Sequence, residues 1–227
     1  MLTPPDNPVW QALSSRQAHF NIGGNFLRFF PADVSPFVGM QHWDERDLPV
    51  LMNELPANRP FSVMITRKVP LPEGLEVVFT CPLYQMCCYQ LVPMLSPTLS
   101  IRKLGYTDVS QMLSLTNRTK PGPFLERTIE MGHYYGVFDN GILVSMAGER
   151  LRLDGFTEIS AICTEPSHLG RGYASVLTTH IAQSIFESGN IPFLHVKTDN
   201  TRAIDVYRRT GFEIRSEVYF AIFRKVG

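Results

Sequence analysis

Between His133 and Thr164 the chain keeps a strand-like pattern through three stretches, His133–Asp139, Ile142–Leu153 and Phe156–Thr164. Asn140-Gly141 and Asp154-Gly155 separate them, and both dipeptides suit two-residue hairpin turns. The period then changes. Leu177, Ile181 and Ile185 fall four apart, with Val176 and Phe186 widening the stripe, which predicts a helix. Pro192–Lys197 predicts another strand. A short helix follows, started by Asp199 or Asn200, with Ala203, Val206 and Tyr207 on one face and a stop at Gly211. A last strand begins at Phe212. Upstream, Thr98–Leu104 predicts a strand, and Thr107–Asn117 and Pro123–Met131 predict two short helices around Lys120-Pro-Gly-Pro123.

The first hundred residues are less regular. Asn7 suits a helix cap and Pro8 the first helical position, with Trp10 and Leu13 beginning an apolar face. Asn25–Phe30, Phe61–Thr66 and Leu75–Thr80 predict strands. Asp44–Leu55 predicts a helix whose start Pro49 limits. Two prolines in Leu91–Pro97 break any regular element. The chain therefore divides into an N-terminal α/β half, residues 1–97, and a C-terminal half, residues 98–227.

Composition narrows the function classes. Hydrophobic residues make up 44% and charged residues 19%, enough to bury a core. Twenty-one basic side chains balance 21 acidic ones, without the basic excess of a nucleic-acid binder. No stretch reaches 18 uncharged apolar residues, so no membrane span is expected. The Met-Leu-Thr-Pro-Pro-Asp start lacks signal-peptide features. Cys81, Cys87, Cys88 and Cys163 form no CxxC and are expected as reduced, buried small hydrophobes, in keeping with a cytoplasmic protein. The six histidines show no HxxxH or HxH spacing, so no metal site is expected; His133 and His195 fall in strands as satisfied structural residues.

The densest chemical signal is Pro166-Ser-His-Leu-Gly-Arg-Gly-Tyr-Ala-Ser-Val-Leu177, a loop with two glycines that opens a helix directly after a strand. Glycines let backbone N–H groups approach a ligand, and a helix N-terminus favours an anion. The two best-known phosphate loops fit badly. No Lys follows Gly172 as a P-loop requires, and Ser175 stands where the dinucleotide fingerprint has its third glycine.

Leu169-Gly-Arg-Gly172-Tyr-Ala174, followed by Asn200, Ala203, Tyr207, Gly211 and Phe212 at Asn-x-x-Ala-x-x-x-Tyr-x-x-x-Gly-Phe spacing, resembles the GNAT-type N-acetyltransferase superfamily. The departure is Leu169, where that family usually carries Arg or Gln; His168 and Arg171 could still supply positive charge. The resemblance covers residues 98–227. It implies an α/β (α+β) class, the GNAT acyl-CoA N-acyltransferase fold, with a mixed, mostly antiparallel sheet flanked by helices. Relatives of the glycine N-acyltransferase-like group carry an N-terminal half that is a degenerate, reduced copy of the fold, and the same is implied for residues 1–97.

The implied activity is transfer of an acetyl group from acetyl-CoA, as co-substrate, to a primary amine of a small molecule, amino acid or protein. The amine attacks directly in a ternary complex. The partners are acyl-CoA and an amine acceptor, with no nucleic acid and no membrane, and the state is a monomer or homodimer. The alternative is a non-catalytic acyl-CoA-binding or sensing module. An alkyl amine with a pKa of ~10.4 is charged at pH 7, so supplying its neutral form costs about 4–5 kcal/mol unless the site helps. Within the resemblance, Glu158 is the candidate base, with Glu149 and water in reserve, and Tyr207 is the acid for the leaving thiolate. Leu169, Gly170, Arg171, Gly172, Tyr173, Ala174 and Ser175 bind the pyrophosphate side. The backbone of Ile162, Cys163 and Thr164 binds the pantetheine arm where this strand parts from Pro192–Lys197. Asn200 and Ala203 complete the CoA contacts. Cys163 as an acyl-carrying nucleophile is the weaker option.

Overall fold

The computed structural model describes residues 4–44, 48–57, 59–66, 72–92 and 99–226. One eight-stranded sheet carries the molecule. Its strands are β3 (Phe61–Ile65), β4 (Leu75–Cys88), β5 (Arg102–Lys103), β6 (Tyr134–Asp139), β7 (Ile142–Leu153), β8 (Phe156–Thr164), β9 (Ile191–Lys197) and β10 (Phe212–Lys225), in the order β3-β10-β4-β9-β8-β7-β6-β5. All neighbours are antiparallel except β8 and β9. A two-stranded sheet, β1 (Leu27–Phe29) and β2 (Val38–Met40), packs beside it.

The helices are α1 (Pro8–Ser14), α2 (Leu48–Glu54), α3 (Val109–Thr119), α4 (Tyr173–Glu187) and α5 (Thr201–Arg209). α4 and α5 bury Leu177, Ile181, Ile185, Ile204 and Tyr207 against one face of the sheet, with Leu194, Val196 and Phe212. The other face is covered by α1 and the Phe30–Phe37 segment at one end and by α3 at the other. Among the described residues no helix is long and apolar enough to cross a membrane.

The hairpins form where expected. Asn140 and Gly141 both have positive φ, 48° and 79°. Elsewhere the elements differ from the sequence pattern. β4 runs on from Thr80 to Cys88, through Pro82. A proline is tolerated there because β9 joins β4 only from Leu83 onward. The helix expected over Pro123–Met131 is only a 3₁₀ turn, Thr128–Met131. Thr128 Oγ1 accepts the Leu125 N–H and donates to the Val34 carbonyl, which draws the chain into a turn. Asn7 does not cap α1; its amide donates to the Met40 carbonyl at 2.6 Å. The strand expected over Thr98–Leu104 shrinks to Arg102–Lys103, and residues 93–98 lie outside the described residues. Of the helix expected over Asp44–Leu55, α2 covers Leu48–Glu54; Asp44 is not helical, and residues 45–47 lie outside the described ones.

The division at residue 97 does not divide the sheet. β4 lies between β9 and β10 and hydrogen-bonds to both.

Candidate active site

β8 and β9 pair over three residues only, Phe156 to Glu158 with Ile191 to Phe193, and then part. β8 stays on β7 while β9 stays on β4. The facing edges beyond Glu158 and Phe193 therefore lack each other as partners. Leu194 and Val196 on one side of the parting are buried, so these backbone groups call for polar atoms in the gap. A bulge helps open it: Ala161 and Ile162 stand opposite Ala147 alone, and Ala161 takes a φ of 52°, a strained value for a residue with a side chain. The structure thus opens its gap along Ile162, Cys163 and Thr164, the residues expected to bind through their backbone.

The glycine loop lies at the end of the same strand. Gly170 and Gly172 have φ of 82° and 80°, and a β-carbon on either would touch nothing within 4 Å. Gly172 is the N-cap of α4, and no side chain caps that helix. The first-turn N–H groups of Tyr173, Ala174 and Ser175 have no intrahelical acceptor, so the loop presents unspent donors at a positive helix end. Leu169 and Arg171 are exposed. The His168 ring is engaged beside the loop: its Nε2 lies 2.9 Å from Asp139 Oδ2 and its Nδ1 2.9 Å from Ser167 Oγ.

α5 closes the gap from one side. Asn200 is its N-cap, with Oδ1 accepting the Ala203 N–H at 3.2 Å. Tyr207 is buried against Phe212, and burial pushes its phenol well above the usual range. The Cys163 thiol lies close enough to raise it further. A phenol so placed stays protonated and has a proton to donate. Cys163 itself is raised to about 11 by burial, so it offers almost no thiolate.

Glu158 does not fit its expected role as the base. It is fully buried, and Arg150 Nε and Nη2 donate to its two oxygens at 2.8 and 2.6 Å. His195 Nδ1 lies 2.7 Å from the same Oε1 that Nη2 holds. Burial alone would raise its pKa, but the Arg150 charge and these hydrogen bonds hold it down to about 2. A carboxylate so engaged has three of its four lone pairs taken, is fully buried and lacks the affinity to take an ammonium's proton. Glu149, the reserve candidate, is also buried, with Oε2 accepting the His133 N–H at 3.2 Å and 3.9 Å from Arg152.

The network continues across the sheet. His195 Nε2 lies 3.2 Å from Gln85 Nε2, which also donates to the Pro5 carbonyl. Gln85 Oε1 accepts from Arg215 Nε at 2.7 Å, and Arg215 pairs with Asp6. Arg215 has no acceptor, so it fixes which end of the Gln85 amide is oxygen. The amide nitrogen then faces His195, whose Nε2 must accept. His195 therefore carries its proton on Nδ1 and donates it to Glu158. The His195–Glu158 contact bridges β8 and β9 just past their last backbone pair and staples the fork of the gap.

Arg150 and Tyr134 were not among the expected site residues. Arg150 sits at a second bulge, where Arg150 and Leu151 stand opposite Glu158 alone. Tyr134 lies over Gly148, where a β-carbon would come within 2.1 Å of its ring. The available signal was a charged Arg in a strand on the same alternating face as Met146 and Gly148, with an acidic residue on the next strand.

Known proteins resemble this chain in sequence and in fold. Residues 134–221 match the family model described as FR47-like protein. The chain is 37% identical over 84 residues to the N-alpha-acetyltransferase RimI of Mycobacterium tuberculosis, covering 36% of this chain and 52% of that one. It is 29% identical over 82 residues to a mycothiol acetyltransferase of Mycolicibacterium gilvum, covering 34% of this chain and 27% of that one. The chain thus spans about half the length of the first relative and about a quarter of the second. Among solved structures, a GNAT-family protein from Novosphingobium aromaticivorans is 31% identical over 100% of both chains, with a TM-score of 0.90. A GCN5-related N-acetyltransferase from Kribbella flavida shares the fold at 17% identity, over 97% of this chain and 96% of its own, with a TM-score of 0.63.

Proposed function

Since the chain belongs to the GNAT superfamily of N-acetyltransferases, we propose that it transfers an acetyl group from acetyl-CoA to a primary amine by direct attack in a ternary complex. The observation that carries this reading is the parting of β8 and β9 directly beside the uncapped glycine loop. One feature supplies unpaired backbone edges and the other supplies anion-directed N–H groups, and a thioester on a pyrophosphate-bearing arm needs both. Acetyl-CoA, when bound, supplies the activated acyl group.

This chain's residues do the rest. The backbone of residues 169–174 and Ser175 receives the pyrophosphate. The edges of Ile162, Cys163 and Thr164 receive the amide groups of the arm, and the exposed end of the Asn200 amide adds a contact near Ala203. Tyr207, kept protonated by burial, donates to the departing sulfur. Transfer is direct, because the Cys163 thiol is too weakly acidic to carry the acyl group. Glu158 does not remove the amine proton, so the acceptor enters as its neutral minority form after losing a proton to water. The rate should therefore rise with pH up to the acceptor's own pKa.

The test is thiol release from acetyl-CoA with a mixed panel of amines, run beside calorimetric titration of acetyl-CoA. Turnover with at least one amine is expected. Tight binding with no turnover on any amine would instead identify a sensing module.

A further inference from the structure

Arg150 has five N–H donors on a planar fork. Glu158 takes the side-on edge, Nε and Nη2. The end-on edge, Nη1 with the second N–H of Nη2, has no partner among the described residues. That edge is approached past Gly122, where a β-carbon would stand 4.0 Å from Nη1 and near no other atom. The guanidinium is otherwise enclosed, lying over the Phe37 ring at 4.8 Å with a side chain 10% exposed.

Tyr134 brings a second donor into the field of Arg150. Its ring crosses β7 where Gly148 has no side chain, and Gly148 pairs with Ser160 beside the β8 bulge. The hydroxyl is buried and has no hydrogen-bond partner among the described residues. It is close enough to Arg150 and Glu158 for their charges to act on it, and burial keeps it protonated. A buried hydroxyl without a partner is costly and calls for a ligand atom. Arg150 can only donate and the Tyr134 hydroxyl can donate beside it, so an atom that meets both is an acceptor oxygen. An ammonium placed there would face a guanidinium, with the phenol lone pair as its acceptor. A carboxylate would sit nearer the guanidinium than the Glu158 carboxylate on its opposite edge, and could take Nη1 and Nη2 together.

We propose that the acceptor amine carries a carboxylate, received by the end-on edge of Arg150 and the Tyr134 hydroxyl at the fork between β8 and β9. This deepens the acetyl-transfer reading and rests on it for the identity of the acceptor, while the oxygen site itself stands on the geometry. An amino acid or short amino-carboxylate is the class that fits, with its amine then directed along the gap.

The experiment compares matched acceptors: glycine, β-alanine, leucine and glutamate against their carboxamides and the corresponding amines without the carboxyl group. Initial rates of thiol release are measured, with calorimetric titration of the same compounds into the protein saturated with CoA. The carboxylates should exceed their carboxamides in kcat/KM by about 10- to 100-fold. The carboxamide amine is the less basic and so the more often neutral, which makes that preference a conservative sign. Tyr134→Phe keeps the ring over Gly148 and should raise KM about tenfold for carboxylates, leaving rates with the amines that lack the carboxyl group and acetyl-CoA affinity unchanged. Arg150→Lys, which keeps a charge for Glu158 but loses the forked edge, should lose the carboxylate preference. Equal kcat/KM for each carboxylate and its carboxamide, or a Tyr134→Phe effect as large on the amines that lack the carboxyl group, would overturn the proposal. If no amine turns over, the transfer reading fails by itself. Carboxylate-selective binding that Tyr134→Phe weakens would then still support the oxygen site, and absence of such binding would overturn it.

Discussion

A carboxylate that accepts from both ends of one guanidinium edge and from an imidazole has its proton affinity committed to structure. Glu158 is held down to about 2, against an ordinary value of 4.5, so its ionised form stabilises the fold above pH ~4.5. That stability should be lost as pH falls from about 4.5 towards 2. Glu158→Gln leaves Arg150 buried without its counter-charge, and should cost about 3–5 kcal/mol and roughly 10 °C of melting temperature. Glu158→Gln with Arg150→Met should recover much of that loss and remove part of the acid-side fall. Thermal melts from pH 2 to pH 7 on the three proteins check both statements; a single variant as stable as the parent would contradict the ion-pair account. Tyr207→Phe belongs to the same scale. It should lower kcat by about 10²–10⁴-fold with little change in acetyl-CoA affinity, because a proton donor to the leaving sulfur acts only in the transition state. Unchanged kcat, with acyl transfer rate-limiting, would leave Tyr207 as a packing residue. The family spacing singled out Tyr207 and Asn200 in the sequence. It could not reveal Arg150, because the bulge that turns Arg150 and Leu151 to one side depends on pairing with β8, and alternation along a single strand carries no record of it.

At the scale of elements, the glycine loop separates two demands that fall on one residue. Gly172 needs a left-handed backbone, and its surroundings are open. Gly189, beyond the other end of α4, has φ of 77° and equally open surroundings, which makes it a control. Gly172→Glu and Gly189→Glu should lose similar stability, about 1–2 kcal/mol each from the backbone alone. Only Gly172→Glu should also weaken acetyl-CoA binding, because its carboxylate would meet the pyrophosphate at the loop. Parallel melts and calorimetric titrations distinguish the two effects; equal affinities in both variants would remove the phosphate role from the loop. Most strands and helices from Tyr134 onward were legible to within a residue or two, since two-residue turns and glycine stops punctuate them. The segment over Pro123–Met131 was not, because a side-chain contact from Thr128 to Val34, distant in sequence, decides its shape. The parting of β8 and β9 was foreseen only through the family pattern, because each strand's own alternation is undisturbed where they separate.

For the whole molecule, the deciding fact is the place of β4. A strand from residues 75–88 fills the space between β9 and β10, pairing with β10 from Leu75 to Cys88 and with β9 from Leu83 to Cys87. Val9, Leu13, Phe30 and Phe37 share one core with Leu151, Phe156, Phe193 and Val218. The polar chain through Asp6, Gln85, His195 and Glu158 crosses the same boundary. Residues 99–227 alone would leave the inner edges of β9 and β10 without partners and Phe193, His195 and Arg215 without their neighbours. Unpaired buried strand edges are not tolerated in a stable fold. The chain should therefore unfold in one cooperative step, with calorimetric and van't Hoff enthalpies equal. A fragment of residues 99–227 should be unfolded or aggregated and should bind no acetyl-CoA, even though it contains the glycine loop, the β8 bulge and α5. Two resolved transitions in the full chain, or a folded, CoA-binding fragment, would show that β9 and β10 can close on each other without β4. The gap between β8 and β9 is held on one side by β7 and on the other by β4, so the N-terminal residues set its width from behind β9, without any of them having to touch the thioester.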